Sequence, residues 1–348
     1  MERMRFSLSL PALRDPKDAD PYRETFALAR LAEESGFDTA TIGHHHFMPG
    51  NASDPLTFLT AVAARTETLR IGTGIFQLPI HNPVRVAEQV ATIDQLSGGR
   101  ISLGVGLGWW EREYQVHGSK VRERGARMDE ALGILKRVWR TEDEGYEGRF
   151  WTFPDLTVHP RPVQSPHPPL WVAGVADPAV ERAARLGDAW LCGPVQSLSK
   201  AKACLDVYRP ARARVGRPDD WILRRFAWIG SDRRLLEDEI LPRYIEGLMK
   251  HWKESAEEEE EKALFARLES GEVVPPAEIA RDRLLFGTPD DIIAQIQRYQ
   301  RETGCDHVHA AFGAGLPATE SERSTLGGFD QHAEMIKLFA REVMPAFR

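Results

Sequence analysis

The feature that most constrains this chain is an end-to-end alternation of short β-rich runs with longer amphipathic stretches. Runs at 4–10, 37–43, 69–76, 101–106, 170–173, 189–192, 223–229 and 307–311 read as strands. Stretches such as 21–35 and 83–97 between them place apolar residues at helical spacing, the second with proline in its first turn. Eight βα units in 348 residues predict an α/β fold of the TIM (β/α)8 barrel type rather than an open doubly wound sheet. One domain over 1–348 is expected, because the two stretches that break the period read as excursions from it. The first, about 141–169, carries Gly145, Gly148 and six prolines among Tyr146, Phe150, Trp151 and Phe153, and reads as a hairpin excursion. The second, about 232–286, is an acidic helical insertion: between Asp232 and Arg283 lie 15 acidic and 9 basic residues. There Tyr244, Leu248 and Trp252 recur every fourth residue and Glu257 to Glu261 form an acidic block, predicting helices with one packing face and one solvated face.

Nearly all of the net charge of −7 sits in that insertion, so a basic nucleic-acid footprint is excluded. No apolar run approaches the roughly 18 residues of a membrane span, and the first ten residues lack the apolar stretch of a secretory signal, so no membrane association and a cytoplasmic location are expected. Cys192, Cys204 and Cys305 have no CxxC spacing and read as buried small hydrophobes, which argues against disulfides or a thiolate zinc site.

Strand alternation assigns faces. In a barrel the larger aliphatics face the helices and the alternate residues face the axis. Ala40 and Ile42 then face out, turning Thr39, Thr41, Gly43 and His45 inward. Leu69, Ile71 and Ile75 face out and leave Gly72 and Gly74 inside. Ile101, Leu103 and Val105 face out, with Ser102, Gly104 and Gly106 inside. Small inward groups thus collect at the C-terminal mouth, where barrel active sites lie, and make room for a flat ligand. The run from Gly104 to Gly108 is spaced GxGxG rather than GxGxxG, and no strand ending in an acid follows it, so a dinucleotide-binding turn is not indicated.

Three consecutive histidines, His44, His45 and His46, follow the second strand. Adjacent side chains on extended backbone point to opposite faces, so at most two could share a metal, with His81, His117 or an acid completing the set; no metal site is expected. His44 and His46 fit a structural role satisfied by hydrogen bonds, whereas inward-facing His45 fits an acid/base or ligand-contacting role.

His44-His45-His46-Phe47, Ile71-Gly72-Thr73-Gly74, Asn82 to Gln89, Asp94 to Arg100 and Gly104 to Trp109 together resemble the bacterial-luciferase-like family of flavin-dependent oxidoreductases, TIM barrels that bind FMN or the deazaflavin F420. The resemblance is dense from Gly36 to Glu113 and returns at Trp171 to Gly174 and Gly287 to Pro289. It implies that His45 is the catalytic histidine, with His44 in place of a family acid. It also implies a cis peptide at Gly74–Ile75 and a flavin ring against Gly72, Thr73, Gly74 and Gly106. Gly106 and Leu107 stand where luciferase has a reactive cysteine and an arginine, so luciferase activity itself is not implied. The flavin phosphate would meet the N–H groups of Gly174, Val175 and Ala176, with Asp177 capping the next helix and Pro178 at its first position.

Trp109 and Trp110 would wall the mouth. The expected activity is a monooxygenase that uses reduced FMN from a separate reductase, and O₂, on a small organic substrate, the protein being a homodimer. An F420-dependent oxidoreductase and a non-catalytic flavin-binding protein are the alternatives. His45→Ala should lower turnover with saturating reduced flavin by about 10²-fold or more while flavin binding holds. His44→Ala and His46→Ala should act through stability; equal losses in all three folded variants would remove the special role of His45.

Overall fold

The computed structural model describes residues 3–12, 19–20, 22–48, 51–194, 196–246, 259–313 and 328–348. Its strands are β1 (Arg5–Leu10), β2 (Thr39–Ile42), β3 (Arg70–Thr73), β4 (Ile101–Val105), β5 (Glu144–Glu147), β6 (Thr152–Leu156), β7 (Leu170–Ala173), β8 (Ala189–Leu191), β9 (Trp221–Ile229), β10 (Leu284–Gly287) and β11 (His307–Phe312). β1, β2, β3, β4, β7, β8, β9 and β11 run parallel in a ring, closed because β8 pairs with β9 as well as with β7. These are the eight strands read from the sequence, and the fold is a TIM barrel. Among the described residues no helix is long and apolar enough to cross a membrane.

Helices α1 (Arg23–Glu34), α2 (Pro55–Ala63) and α3 (Pro83–Ser97) follow β1, β2 and β3. Local chemistry sets α3. The Asn82 side chain accepts from the Val84 and Arg85 N–H groups, Pro83 sits in the first turn, and Gly98 ends the helix at φ 64°. Outward strand residues such as Leu8, Ile71, Leu103 and Val172 are fully buried against helix residues such as Leu28, Val90 and Val180, forming the main core.

Inside the barrel, β3 and β4 touch backbone to backbone. A Cβ on Gly72 would lie 2.6 Å from the Ser102 carbonyl oxygen, and one on Gly104 would collide with the Thr73 carbonyl. Parity holds for β2, β4 and the paired part of β3 and fails at Ile75, which packs inward with Trp171, Ala189, Leu191 and Ile222 instead of facing the helices. Alternation applies only to paired extended strand, and β3 ends at Thr73. The Gly74–Ile75 peptide is cis, as the resemblance implied.

The first excursion is the expected hairpin, β5 antiparallel to β6. Its return is held by the buried Asp94 of α3, whose carboxylate accepts from the Val163 and Gln164 N–H groups and from the Gln164 amide. The second contains helices Glu259–Glu269 and Pro276–Ala280, and Tyr244 is buried in a small cluster with Leu241, Phe265 and Ile279. Leu248, Trp252, Glu257 and Glu258 lie outside the described residues. The insertion also holds β10, which the sequence reading missed: four residues paired with the end of β9, too short to show alternation.

Gly104→Ala should lower the denaturation free energy by about 3 kcal/mol, because no rotamer relieves a backbone clash. The control is Gly133 within the helix Arg124–Val138, where a Cβ meets nothing within 4 Å, and Gly133→Ala should stabilise by up to about 1 kcal/mol. Urea midpoints of both variants check this; an unchanged midpoint for Gly104→Ala would show that the strands do not approach as described.

Candidate active site

The loop after β2 and helix α4 (Glu111–Val116) meet at the C-terminal mouth. Glu113 is fully buried there, and its Oε1 accepts from the His46 backbone N–H at 2.7 Å. The same oxygen lies 3.4 Å from His45 Nδ1, an ion pair whenever the ring is protonated. The Gln77 side-chain amide donates to Nδ1 at 3.3 Å, so neutral His45 carries its proton on Nε2, and Glu113 pairs with Nδ1 only when the ring gains a second proton. The His45 side chain remains 28% exposed. Trp109 meets it edge to face, ring centroids 6.3 Å apart, and the Arg112 guanidinium lies over the rings of Phe47 and Trp110. Trp109 and Phe47 are about half exposed, forming an aromatic rim.

His44 and His46 turn the other way. His44 is buried, its Nδ1 accepts from the Gln77 N–H at 3.2 Å, and its Nε2 lies 2.9 Å from His46 Nε2. With Nδ1 accepting, Nε2 carries the proton and donates to His46. His44 and His81 both stack on Phe76, and His46 packs on His117 with centroids 4.3 Å apart. The ring nitrogens of His44, His46 and His81 come within 4.8 Å of one another, a spacing a metal could use. Within the group the His44 Nε2 proton is shared with His46, while His81 Nε2 and the neighbouring His117 Nε2 are buried without partners among the described residues. Burial pushes His44 down to about 2 and His81 to about 4, each helped by its neighbouring imidazoles, and lowers His46.

Of the predicted cofactor contacts, Gly74 and Gly106 face the interior, where added Cβ atoms would meet Thr41 Oγ1 at 2.7 Å and the Ile75 side chain at 2.8 Å. Gly72 is already required by strand packing, and the Thr73 hydroxyl donates within the sheet to the Gly104 carbonyl at 2.6 Å. The turn at Gly174, Val175 and Ala176 has its carbonyls tied down: Trp190 Nε1–H donates to Gly174 and the Cys204 thiol to Val175. Its N–H groups precede the helix α6 (Asp177–Leu186), which has no side-chain cap. Ala176, not Asp177, is the N-cap: Asp177 is already helical and Pro178 is one position further in than expected, so the capping assignment was one residue late. The small inward residues and the uncapped turn fit a ring and an anionic tail.

The sequence reading missed Glu113 and Arg224. Arg224 is inward on β9, level with His309 of β11, and its buried Nε has no partner among the described residues. Extending parity to β9 would have flagged it, since Ile222 and Phe226 flank it on the same face.

Comparisons with known proteins show the family and the fold. A sequence profile of the family described as luciferase-like monooxygenase matches residues 4–307. The oxygenase component of the flavin-dependent trigonelline monooxygenase of Acinetobacter baylyi is 34% identical over 44% of this chain and 43% of its own. The FMNH₂-dependent dimethylsulfone monooxygenase of Pseudomonas putida is 34% identical over 54% and 53%. This chain therefore spans about half the length of those relatives. An F420-dependent glucose-6-phosphate dehydrogenase of Amycolatopsis mediterranei is 28% identical over 82% of this chain and 87% of its own. The solved structure of monooxygenase RslO1 from Streptomyces bottropensis superposes with TM-score 0.80 at 27% identity over 99% of this chain and 100% of that one.

The lowered basicity of His44 and His81 sets a pH dependence. Unfolded, both rings return towards 6.5, so between there and about 4 the unfolded chain binds more protons and stability falls as pH falls. Each ring contributes at most about 1.4 kcal/mol per pH unit. His81→Phe keeps an aromatic ring against Phe76 and should flatten the slope by one proton's worth, read from urea midpoints between about pH 6 and pH 4.5. An unchanged slope would place His81 in contact with solvent.

Proposed function

The chain belongs to the luciferase-like monooxygenase family, a family of flavin-dependent oxidoreductases, and on that premise we propose that it is the oxygenase component of a two-component system. It takes reduced FMN from a separate reductase and uses O₂ on a small organic substrate. The observation that carries this reading is the His45–Glu113 pair at the barrel mouth, beside the inward faces of Gly74 and Gly106. The names of the Acinetobacter and Pseudomonas relatives support it.

Bound reduced flavin supplies two electrons to O₂, so that one oxygen atom enters the substrate and the other leaves as water. The chain's own residues do the rest. Gln77 and Glu113 orient His45, so its Nε2–H can give a proton to the substrate and take it back. Gly74 and Gly106 leave a flat surface, and the N–H groups of Val175 and Ala176, with the positive end of α6, would hold the phosphate. Trp109, Trp110 and Phe47 shield the mouth from water. The Amycolatopsis match, which spans most of the barrel, favours a second reading in which the same mouth serves hydride transfer with F420.

Anaerobic titration with reduced FMN, F420 and NADPH separates the readings. Reduced FMN should bind more tightly than NADPH, followed by substrate-dependent O₂ uptake. Tight F420 binding without FMN affinity would establish the second reading, and NADPH binding alone would overturn both.

A further inference from the structure

The barrel interior is divided by polarity. On β9, β11, β1 and β2, which are neighbours in the ring, the inward residues include Arg224, His309, Ser9 and Thr41. Across from them, Ile75, Trp171, Ala173, Ala189 and Leu191 form an apolar cluster, which reaches β9 at Ile222, two residues before Arg224. The polar wall is incompletely bonded. Thr41 Oγ1 and His309 Nε2 are 2.8 Å apart, but Ser9 Oγ, His309 Nδ1 and Arg224 Nε are buried without partners among the described residues.

Arg224 is the unusual member. It forms no ion pair with any described residue, and no carboxylate offsets the burial that lowers it to about 10, so it is a cation at neutral pH. Its neighbour His309, pushed down to about 3 chiefly by burial, is neutral and supplies no counter-charge. The adjacent Arg225 has other company: it faces outward, donates to the Gly193 and Arg224 carbonyls and lies over the Tyr299 ring. Arg224 is half-buried, with Nε its buried, unpartnered nitrogen, and an inward guanidinium with no anion beside it gains charge-assisted hydrogen bonds when a ligand brings an oxyanion.

We infer that the Arg224 wall recognises the anionic end of the substrate, which is therefore an organic acid, a carboxylate or sulfonate with an apolar body. Arg224 pairs with the oxyanion and the Ser9 hydroxyl donates to it, while the apolar body lies towards Ile75 and Leu191. This assignment rests on reading the mouth as a catalytic site for small organic substrates.

The test measures binding in the absence of flavin, by calorimetry and tryptophan fluorescence, with hexanoate, hexanesulfonate and the neutral hexanamide as probes. The parent should bind both anions at least about tenfold more tightly than the amide. Arg224→Met should abolish that preference and Arg224→Lys retain part of it, with reduced-FMN affinity unchanged in both. Equal binding of amide and anions by the parent, or an undiminished preference in Arg224→Met, would overturn the inference. So would a loss of reduced-FMN affinity in Arg224→Met with the anion preference intact, which would assign the arginine to the flavin. Should Arg224→Met fail to fold, the parent's anion-to-amide ratio and Arg224→Lys decide. An anion preference that depends on Arg224 in a protein that binds no flavin would support this inference while removing the oxygenase reading.

Discussion

Much of the site depends on how closely β3 and β4 lie, with no side chain between them at Gly72 and Gly104. That closeness lets the chain leaving β3 cross onto β4, where the Phe76 N–H donates to the Gly104 carbonyl and the Gly106 N–H to the Phe76 carbonyl. Phe76 then supports the stacked rings of His44 and His81, and Gln77 reaches His44 twice, through its backbone N–H and its side-chain amide. With His44 fixed, the next residue has no freedom left, and His45 emerges on the face where Glu113 waits. Two glycines thus position a histidine that neither of them touches.

The site also keeps its charges apart. Glu113 is held by the His46 N–H and borders His45 on one side, whereas Arg224 lies on β9 behind Thr41 and His309. The rings of His44, His46 and His81 add no charge near Glu113, because burial favours their neutral forms. A buried acid and an inward cation that do not neutralise each other can act on different parts of one bound molecule: one on the proton that moves, the other on a charge that stays.

The eight strands were legible because each combines β-rich residues with a flanking helical period, and alternation put Thr41, Gly72 and Gly104 on the inward face. Its limits are equally physical. Ile75 lies past the end of pairing, where a period of two no longer applies. β10 is too short to display a period at all. Glu113 stands beside another acid in Glu111-Arg112-Glu113, and nothing in a sequence says which of two neighbouring acids a loop will bury. His81 and His117 were named beside His44 and His46 only as residues that could complete a metal set, and the stacking of their rings could not be read, because the turn at Leu78–Ile80 is what brings His81 beneath the others. The helix cap at Ala176 fell one residue from its expected place because Asp177 is the stronger capping residue by type, yet it lies inside the helix.

Asp94 has a consequence of another kind. Its carboxylate fastens the returning chain at Val163 and Gln164, and Gln164 in turn donates to Ile101 and accepts from Arg70. The root of the hairpin is thereby anchored to the barrel independently of what lies between its two ends. A lineage can lengthen, shorten or replace that excursion while the strands beneath keep their register, and the fold carries its own socket for exchanging one such loop for another at the end of the barrel where β3 and β4 begin.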